Sequence, residues 1–133
     1  MPRNTPVKHR AINGFSRRVR LLSSDDFQKV FKQTSYRSVD QRLTVLARQN
    51  QLGYARLGLA ISKRTIKTAV GRNRVKRLVR ESFRQHQQSL AGLDIVVLSR
   101  NAAPHASNSE LVLALQTHWQ RTTKQQAKRL EKQ

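Results

Sequence analysis

The chain has 133 residues, of which 27 are lysine or arginine and only 7 are aspartate or glutamate, so its formal net charge is +20. This length suits one domain with short tails, and the absence of cysteine excludes a disulfide framework and a thiolate zinc site. No apolar run approaches the ~20 residues needed to span a bilayer. So large a positive charge on a short chain indicates a nucleic-acid partner, with an anionic membrane surface as the weaker alternative.

The two ends of the chain are predicted to lie outside its folded domain. Residues 1–16 contain prolines and scattered cations with no apolar period, so we expect a flexible basic arm. This arm lacks the serine richness of an organelle-targeting peptide, and the expected compartment is therefore the cytoplasm. The domain is predicted at residues 17–124 and a polar tail at 125–133, with fraying from about Arg121.

A short helix is predicted from about Asp25 to Lys32, because a serine cap is followed there by two acids that suit the positive end of a helix dipole. Phe27 and Phe31 are spaced i, i+4 on this helix and share one face. Paired phenylalanines normally pack in a core, but aromatic faces also stack on unpaired bases. The residues themselves leave these two interpretations evenly balanced.

Three strands are predicted after this helix. They cover Tyr36–Val39, which is either a short strand or a bulged lead-in, then 42–48, and then 56–62. The last of them alternates strictly, with Leu57, Leu59 and Ile61 directed toward a core. Small residues such as Gly58 occupy its other side, which leaves room for another group to lie against the sheet.

A long amphipathic helix, which we call the basic helix, is predicted from Gly71 to about Gln88. Its apolar stripe has i, i+3, i+4 spacing and comprises Val75, Leu78, Val79, Ser82, Phe83 and His86. Its opposite arc comprises Arg72, Asn73, Lys76, Arg77, Arg80 and Arg84. Only Glu81 supplies a negative charge there, so the cations repel one another unless a polyanion covers them. Charged helix faces are often merely solvated, but arginine's planar fork binds phosphate bidentately, and we favour contact with RNA or DNA.

One further strand and one further helix complete the predicted fold. The apolar run 94–100 is typical of a strand buried on both faces. Residues 107–110 fit a capping box, and Leu111, Leu115 and Trp119 form the core stripe of the helix that follows. This order of elements predicts an α+β fold in which helices cover one sheet. Periodicity does not show whether the strands on either side of the basic helix are parallel neighbours.

The chain offers no constellation of residues that catalysis requires. A hydrolase needs a nucleophile with a base, or a carboxylate cluster for metals, and most of the acids here have structural explanations. His9, His86, His105 and His118 form no local ligand spacing, and no glycine-rich phosphate loop occurs. We therefore expect a polypeptide that binds and does not itself catalyse, and that holds no metal.

The run 72–84, beginning Arg72-Asn73-Arg74, resembles the signature of the protein component of bacterial ribonuclease P, the ribonucleoprotein that removes the 5′ leader from precursor tRNA. Residues 26–31, 57–63 and 94–98 resemble that family's first helix, central strand and last strand. The resemblance implies an α-β-β-β-α-β-α sandwich with a four-stranded sheet. It also implies a left-handed β-α-β crossover, against the usual right-handed rule.

The resemblance further implies that the catalyst is the enzyme's RNA subunit, with Mg²⁺ held by that RNA and the substrate. The residues that would face the catalytic RNA are Arg72, Asn73, Arg74, Arg77 and Arg84. The residues that would line or flank a groove for the single-stranded leader of precursor tRNA are Phe27, Phe31, Lys63, Arg64, Lys76 and Arg80. Several relatives carry an aromatic on the first long strand where this chain has Thr44, Val45 and Leu46, so which of these three faces the groove is open.

The leading hypothesis is an accessory subunit that raises affinity for substrate and Mg²⁺ by lowering phosphate repulsion, without an obligate protein partner. The runner-up is a ribosomal or general RNA-binding protein, which needs only the cationic surface and no aromatic groove. An anionic-membrane-binding helix is disfavoured, because the apolar side of the basic helix is needed for the core. With about ten phosphate contacts, the log–log slope of affinity against salt is expected on the order of −7 to −9.

Overall fold

The computed structural model describes residues 22–131, so the predicted arm at residues 1–16 lies outside the described range. The elements are α1 (Ser24–Lys32), β1 (Tyr36–Val39), β2 (Leu43–Gln49), β3 (Arg56–Ala60), α2 (Ala69–Gln85), β4 (Leu93–Ser99), a 3₁₀ turn (Ala103–His105) and α3 (Asn108–Glu131). The predicted α-β-β-β-α-β-α order is confirmed. No helix within the described range is long and apolar enough to cross a membrane.

The four strands form one mixed sheet in the order β1-β2-β4-β3. β2 pairs antiparallel with both β1 and β4, while β3 pairs parallel with β4. The two strands on either side of the basic helix are thus parallel neighbours. The segment Tyr36–Val39 is a regular strand in register with β2, which excludes the bulged lead-in. The left hand of the crossover stays a prediction.

One face of the sheet is closed by α2 and α3, and it carries the main core. The strands contribute Leu43, Val45, Ala47, Leu57, Ile95 and Val97, and the helices contribute Val75, Val79, Phe83, Leu111, Leu115 and Trp119. The rings of Phe83 and Trp119 meet edge to face with centroids 6.3 Å apart. Trp119 also donates its Nε1–H to Ser82 Oγ at 2.8 Å, so the one polar atom of the indole is satisfied inside the core. The predicted apolar stripes of both helices therefore pack against each other.

Within residues 22–131, the opposite face of the sheet is covered by α1 and by Leu22, which precedes it. Val30 of α1 packs on Val96 of β4, and both are fully buried. Ser23 begins the helix with a capping box, since its Oγ accepts from the Asp26 N–H at 3.2 Å and the Asp26 carboxylate accepts from the Ser23 N–H at 3.1 Å. The predicted serine cap is confirmed, and the helix begins one residue earlier than expected.

The basic helix differs from its prediction mainly at its ends. α2 begins at Ala69, with Thr68 as N-cap, and ends at Gln85 instead of continuing to about Gln88. The next residues form turns that lead to Gly92, whose φ of 86° favours glycine. Leu78 and His86, the two outermost residues of the predicted stripe, are only half-buried because they lie at its edge.

The predicted fraying from about Arg121 is wrong, and the part of the predicted tail at 125–131 is helical. The Gln125 side chain accepts from the Arg37 N–H at 3.3 Å and donates to the Arg37 carbonyl at 3.0 Å. The Arg129 guanidinium lies over the Tyr36 ring, 6.0 Å from its centroid. The two hydrogen bonds satisfy the backbone N–H and carbonyl of Arg37 on the outer edge of β1. Polar residues therefore hold the end of α3 against the sheet. The polar residues at the end of α3 suggest a solvated tail in the sequence, because β1, which they contact, is distant in sequence.

Candidate nucleic-acid interface

An ionic network centred on Arg56 holds α1 over the sheet. Arg56 donates to the two carboxylate oxygens of Asp94 at 2.8 and 2.7 Å, and to the two of Asp26 at 3.3 Å each. Burial acts to raise the pKa of Asp26, but hydrogen bonds from Ser23 and the charge of Arg56 together hold that pKa below its ordinary value. The side chain of Asp94 is fully buried, so this network fixes the distance between α1 and β3.

A groove of about 380 Å³ opens between α1, β3 and α2, and we call it the α1 groove. Its lining consists of Leu22, Phe27, Leu57, Gly58, Leu59, Lys76 and Arg80. Three residues of the predicted leader set, Phe27, Lys76 and Arg80, are thus brought together from α1 and α2. Both cations are half-buried along the groove, so an anion inside it would meet positive charge from one wall and an aromatic ring from the other.

Gly58 forms the floor of the α1 groove, and the ring of Phe27 lies directly on it. A Cβ atom at Gly58 would come within 2.6 Å of Phe27 Cζ and 2.9 Å of Leu22 Cδ1. The space that the small residue leaves on this face of the sheet is therefore filled first by the chain's own aromatic ring. Phe27 is partly buried in the second core cluster as a result.

Phe31 extends the aromatic surface away from this floor. Its ring stacks with that of Phe27 at a centroid separation of 6.4 Å and an interplanar angle of 25°, and 44% of the residue is exposed. Leu46 packs on the same side of the sheet as Phe27, whereas Val45 is fully buried on the side of α2 and α3. Thr44 lies two residues before Leu46 and so shares its face. Thr44 and Leu46 are thus on the face that α1 covers, and Val45 is not.

Lys63 and Arg64 follow β3, and neither is among the residues that line the α1 groove. Lys63 is exposed. Arg64 lines a different cleft, beside the first turn of α2. Arg64 thus lines a different cavity from Phe27, Lys76 and Arg80, and contacts of Lys63 and Arg64 with a leader stay predictions.

Two arginines of the basic helix are engaged by the protein itself. Arg72 donates from Nη1 to the carbonyls of Ile66 and Lys67 at 2.9 and 3.0 Å. Arg74 donates from Nη1 to Asn108 Oδ1 at 2.6 Å and from Nη2 to the Ala106 carbonyl at 3.1 Å. Arg72 thereby fixes the loop before α2, and Arg74 ties α2 to the start of α3. These bonds use donors that the prediction assigned to RNA.

The remaining predicted RNA-facing residues are on the outer surface of α2. Asn73, Arg77 and Arg84 are exposed. Within residues 22–131, neither Arg77 nor Arg80 forms an ion pair with a carboxylate, so their charge is available to an external anion. The basic helix thus combines arginines that hold the fold with arginines that present charge outward.

A buried Ser–His–Asp arrangement links β1, the β1–β2 turn and α3. Ser38 Oγ lies 2.7 Å from His118 Nδ1, and His118 Nε2 lies 3.0 Å from Asp40 Oδ2. Ser38 and His118 are buried, so no substrate reaches the hydroxyl and the arrangement is structural. Burial lowers the pKa of His118 below its ordinary value, although Asp40 opposes this shift. The pKa of Asp40 is lowered despite its burial, because the Leu43 and Arg42 N–H groups bond its carboxylate.

Three features of the site were missed from the sequence. Leu22 lines the α1 groove although it precedes the helix, and the anchor Arg56 is joined to Asp94 across 38 positions of the sequence. The cleft that Arg64 lines also has walls from the loop around Pro104. The alternation around Gly58 was the only local sequence signal for the groove. The contacts of Leu22, Arg56 and Arg64 depend on which strands are neighbours, and a local pattern does not show that.

A mixed four-stranded sheet that carries an arginine-rich helix and a half-open aromatic groove defines a small basic protein of the RNA-binding class. A family model described as Ribonuclease P matches residues 15–123, which is most of the chain. The chain therefore belongs to the ribonuclease P protein family.

Individual relatives agree with this assignment. A ribonuclease P protein component of Vibrio cholerae serotype O1 is 49% identical over 110 residues, covering 83% of this chain and 92% of its own length. One of Pseudoalteromonas atlantica is 48% identical over 120 residues, covering 90% and 96%. The solved RNase P protein of Thermotoga maritima matches with a TM-score of 0.68 at 30% identity, covering 77% of this chain and 96% of that one. That of Staphylococcus aureus at 2.0 Å resolution matches with a TM-score of 0.68 at 28% identity, covering 74% and 89%.

Proposed function

We propose that this chain is the protein subunit of a ribonucleoprotein that removes the 5′ leader from precursor tRNA, acting in the cytoplasm. In this proposal α2 binds the catalytic RNA subunit and the α1 groove binds the single-stranded leader. The observation that carries the proposal is that one small domain has two different surfaces suited to RNA. An outward arginine face lies on α2, and an aromatic groove with two cations lies beside it.

The composition of the α1 groove suits a single-stranded nucleic acid. The exposed ring of Phe31 offers a stacking surface, and stacking of one base on an aromatic side chain contributes roughly 1–3 kcal/mol. Lys76 and Arg80 lie along the same groove and suit phosphate oxygens between successive bases. Binding of this kind is tolerant of sequence, because every base has a face that can stack.

The outward face of α2 suits a structured RNA. Asn73, Arg77 and Arg84 are spaced by four and then seven residues, so they share one face of the helix, and their donors suit phosphate and sugar. Arg72 and Arg74 contribute indirectly, because their bonds to the loop before α2 and to the start of α3 keep the helix in one position. Direct contact of Arg72 and Arg74 with RNA stays a prediction beside this structural role.

The chemistry of cleavage belongs to the RNA subunit in this proposal. Residues 22–131 contain no group of three carboxylate or histidine side chains placed to hold a metal ion, so Mg²⁺ is assigned to phosphate oxygens of the RNA and the substrate. The protein's contribution is to reduce the repulsion between the leader and the catalytic RNA, whose phosphates would otherwise compete for cations. A lower Mg²⁺ requirement for cleavage follows from this.

The decisive experiment is reconstitution of 5′ cleavage of precursor tRNA with the cognate RNA subunit at low Mg²⁺, comparing the wild-type chain with Phe31→Ala. We expect the wild type to restore cleavage. Phe31→Ala should lower the preference for precursor over mature tRNA by about 5- to 100-fold, since it removes one stacking surface. Leu113→Ala is the matched control, because Leu113 is also an exposed apolar residue but lies on α3.

A correctly folded Phe31→Ala protein with unchanged discrimination would show that the exposed aromatic surface beside the α1 groove does not bind the leader. Failure of the wild type to stimulate its RNA would favour a general RNA-binding protein instead. Circular dichroism and thermal unfolding of each variant separate a loss of fold from a loss of recognition.

A further inference from the structure

A second cleft, distinct from the α1 groove, lies between the loop before α2, the first turn of α2 and the 3₁₀ turn. We call it the α2 cleft, and its volume is about 490 Å³. Small-molecule sites typically occupy about 300–1,000 Å³, so the cleft is large enough for a single nucleotide. The lining residues that matter here are Arg64, Lys67, Arg74, Asn101, Pro104 and His105. The loop before α2 begins where β3 ends, so the chain passes from one cavity to the other.

The two walls of the α2 cleft are fixed by the arginines that the protein itself engages. Arg72 bonds the carbonyls of Ile66 and Lys67, which holds the loop wall in one conformation. Arg74 bonds the Ala106 carbonyl and Asn108, which holds the opposite wall next to the 3₁₀ turn. A cleft whose walls are braced in advance loses little conformational entropy when a ligand enters.

The two walls of the α2 cleft carry different kinds of side chain. Arg64 and Lys67 are exposed cations on the loop wall, and no carboxylate from residues 22–131 lines the cleft, so an anionic group is favoured there. The other wall presents the imidazole of His105, which is a flat surface suited to a base, with the apolar ring of Pro104 beside it. Asn101 adds an amide that can both donate to and accept from a base edge. Thr68 Oγ1 already accepts from the Gly71 N–H at the start of α2, so the cations and the imidazole, and not the helix end, are the groups that would bind a ligand.

We propose that the α2 cleft binds one unstacked nucleotide of an RNA strand. Its phosphate lies at Arg64 and Lys67, and its base lies against Pro104 and His105. This inference rests on the proposed RNA-binding function and adds a second single-stranded contact to it. Arg64 then serves the α2 cleft and not the leader groove, as its position indicates. The residues that line this cleft all differ from those that line the α1 groove.

The test uses the full-length protein and three probes at constant ionic strength: adenosine 5′-monophosphate, inorganic phosphate and adenosine. Binding is followed by changes in backbone amide NMR shifts. We expect the monophosphate to bind more tightly than either other probe and to shift the amides of Gly71 and His105. Equal affinity for monophosphate and inorganic phosphate would overturn the proposal, because it would mean a purely electrostatic site. Shifts confined to Gly58 and its neighbours would do the same.

Two variants identify the contacts. His105→Ala should reduce the preference for the monophosphate over inorganic phosphate by about fivefold or more, since it removes a stacking surface. Lys67→Ala should weaken both anionic probes together. Gln120→Ala, at an exposed position on α3 outside both cavities, should change neither. An unchanged preference in folded His105→Ala would contradict the base position.

A final comparison separates this inference from the proposed function. If the chain is a ribonuclease P subunit and the α2 cleft holds a nucleotide of its RNA partner, both Arg77→Ala and His105→Ala should weaken assembly with the RNA subunit. If only the cleft assignment is wrong, Arg77→Ala should still weaken assembly and His105→Ala should not. If the proposed function itself is wrong, the wild-type chain should fail to stimulate cleavage whatever the probes show.

Discussion

The two faces of the sheet differ in how completely they are covered. The face toward α2 and α3 is closed, and its largest side chains, among them Phe83 and Trp119, are buried. In the described part of the chain, the face toward α1 carries one helix of nine residues, in which Val30 is buried and Phe31 is exposed. One short helix cannot cover four strands, so within residues 22–131 the α1 groove is left beside it. The closed face thus holds the main core, and the other face carries the groove that we propose for the leader.

The largest expected effect comes from the closed face. Phe83→Ala should lower the free energy of unfolding by about 3–5 kcal/mol, because the ring is fully buried and its neighbours cannot collapse into the space. Urea unfolding measures this loss. Phe31→Ala, the same change on the face toward α1, should cost less than about 1 kcal/mol, because the side chain is already partly hydrated. Equal losses for the two variants would remove the distinction between the faces.

A smaller loss is expected where α1 meets the sheet. Gly58→Ala should cost about 1–3 kcal/mol, because the added methyl group would overlap the Phe27 ring at the floor of the α1 groove. Phe27→Leu in the same chain should recover part of this loss, since the smaller side chain vacates that space. A double-mutant cycle measures the coupling between the two positions. Strict additivity would show that the two groups do not touch.

As the pH falls, the first loss of stability should come from the closed face of the sheet. The pKa of His118 is lowered by burial, so near its ordinary value of 6.5 the unfolded chain takes up a proton that the folded chain does not. Stability should therefore fall as the pH drops below about 6.5. The pKa of Asp40 is also lowered, so a second loss should begin below its ordinary value of 3.8.

Urea unfolding between pH 7.5 and 5 tests this assignment. His118→Gln should flatten the first loss even if the variant is less stable at every pH. The groups that face His118 are Asp40, which opposes the shift, and Arg121, which adds to it. An unaltered slope in His118→Gln would assign the titration to another histidine.

The smallest expected effect is at the β1 edge of the sheet. Gln125→Ala removes two hydrogen bonds to the Arg37 backbone and should cost about 0.5–1.5 kcal/mol, because water replaces them. Hydrogen exchange at the Arg37 amide should accelerate by more than exchange in the core strand β4. Gln120→Ala on the same helix is the control, since Gln120 is exposed. An unchanged exchange rate at Arg37 would mean that the helix end does not protect this edge.

Local signals predicted the elements well. The serine cap of α1 and the capping box of α3 were both readable, because each links residues three positions apart. The end of α3 was not readable, because its polar residues bond β1 across 88 positions of the sequence. The bonds of Arg72 to the loop before α2 and of Arg74 to the start of α3 were not readable either. A guanidinium that bonds a backbone carbonyl has no local sequence pattern that distinguishes it from one that binds a phosphate.

The sequence by itself determined the helices and strands, the excess of cations and the resemblance to a known family, because these depend on residue type and short-range spacing. The tertiary structure alone decided which arginines are available and which brace the fold. It also decided that Arg64 lies in a different cavity from Phe27, and that Leu46 and not Val45 shares a face with α1. The physical reason is that strand order and helix placement set which distant groups come within hydrogen-bonding distance, and no local pattern records that order.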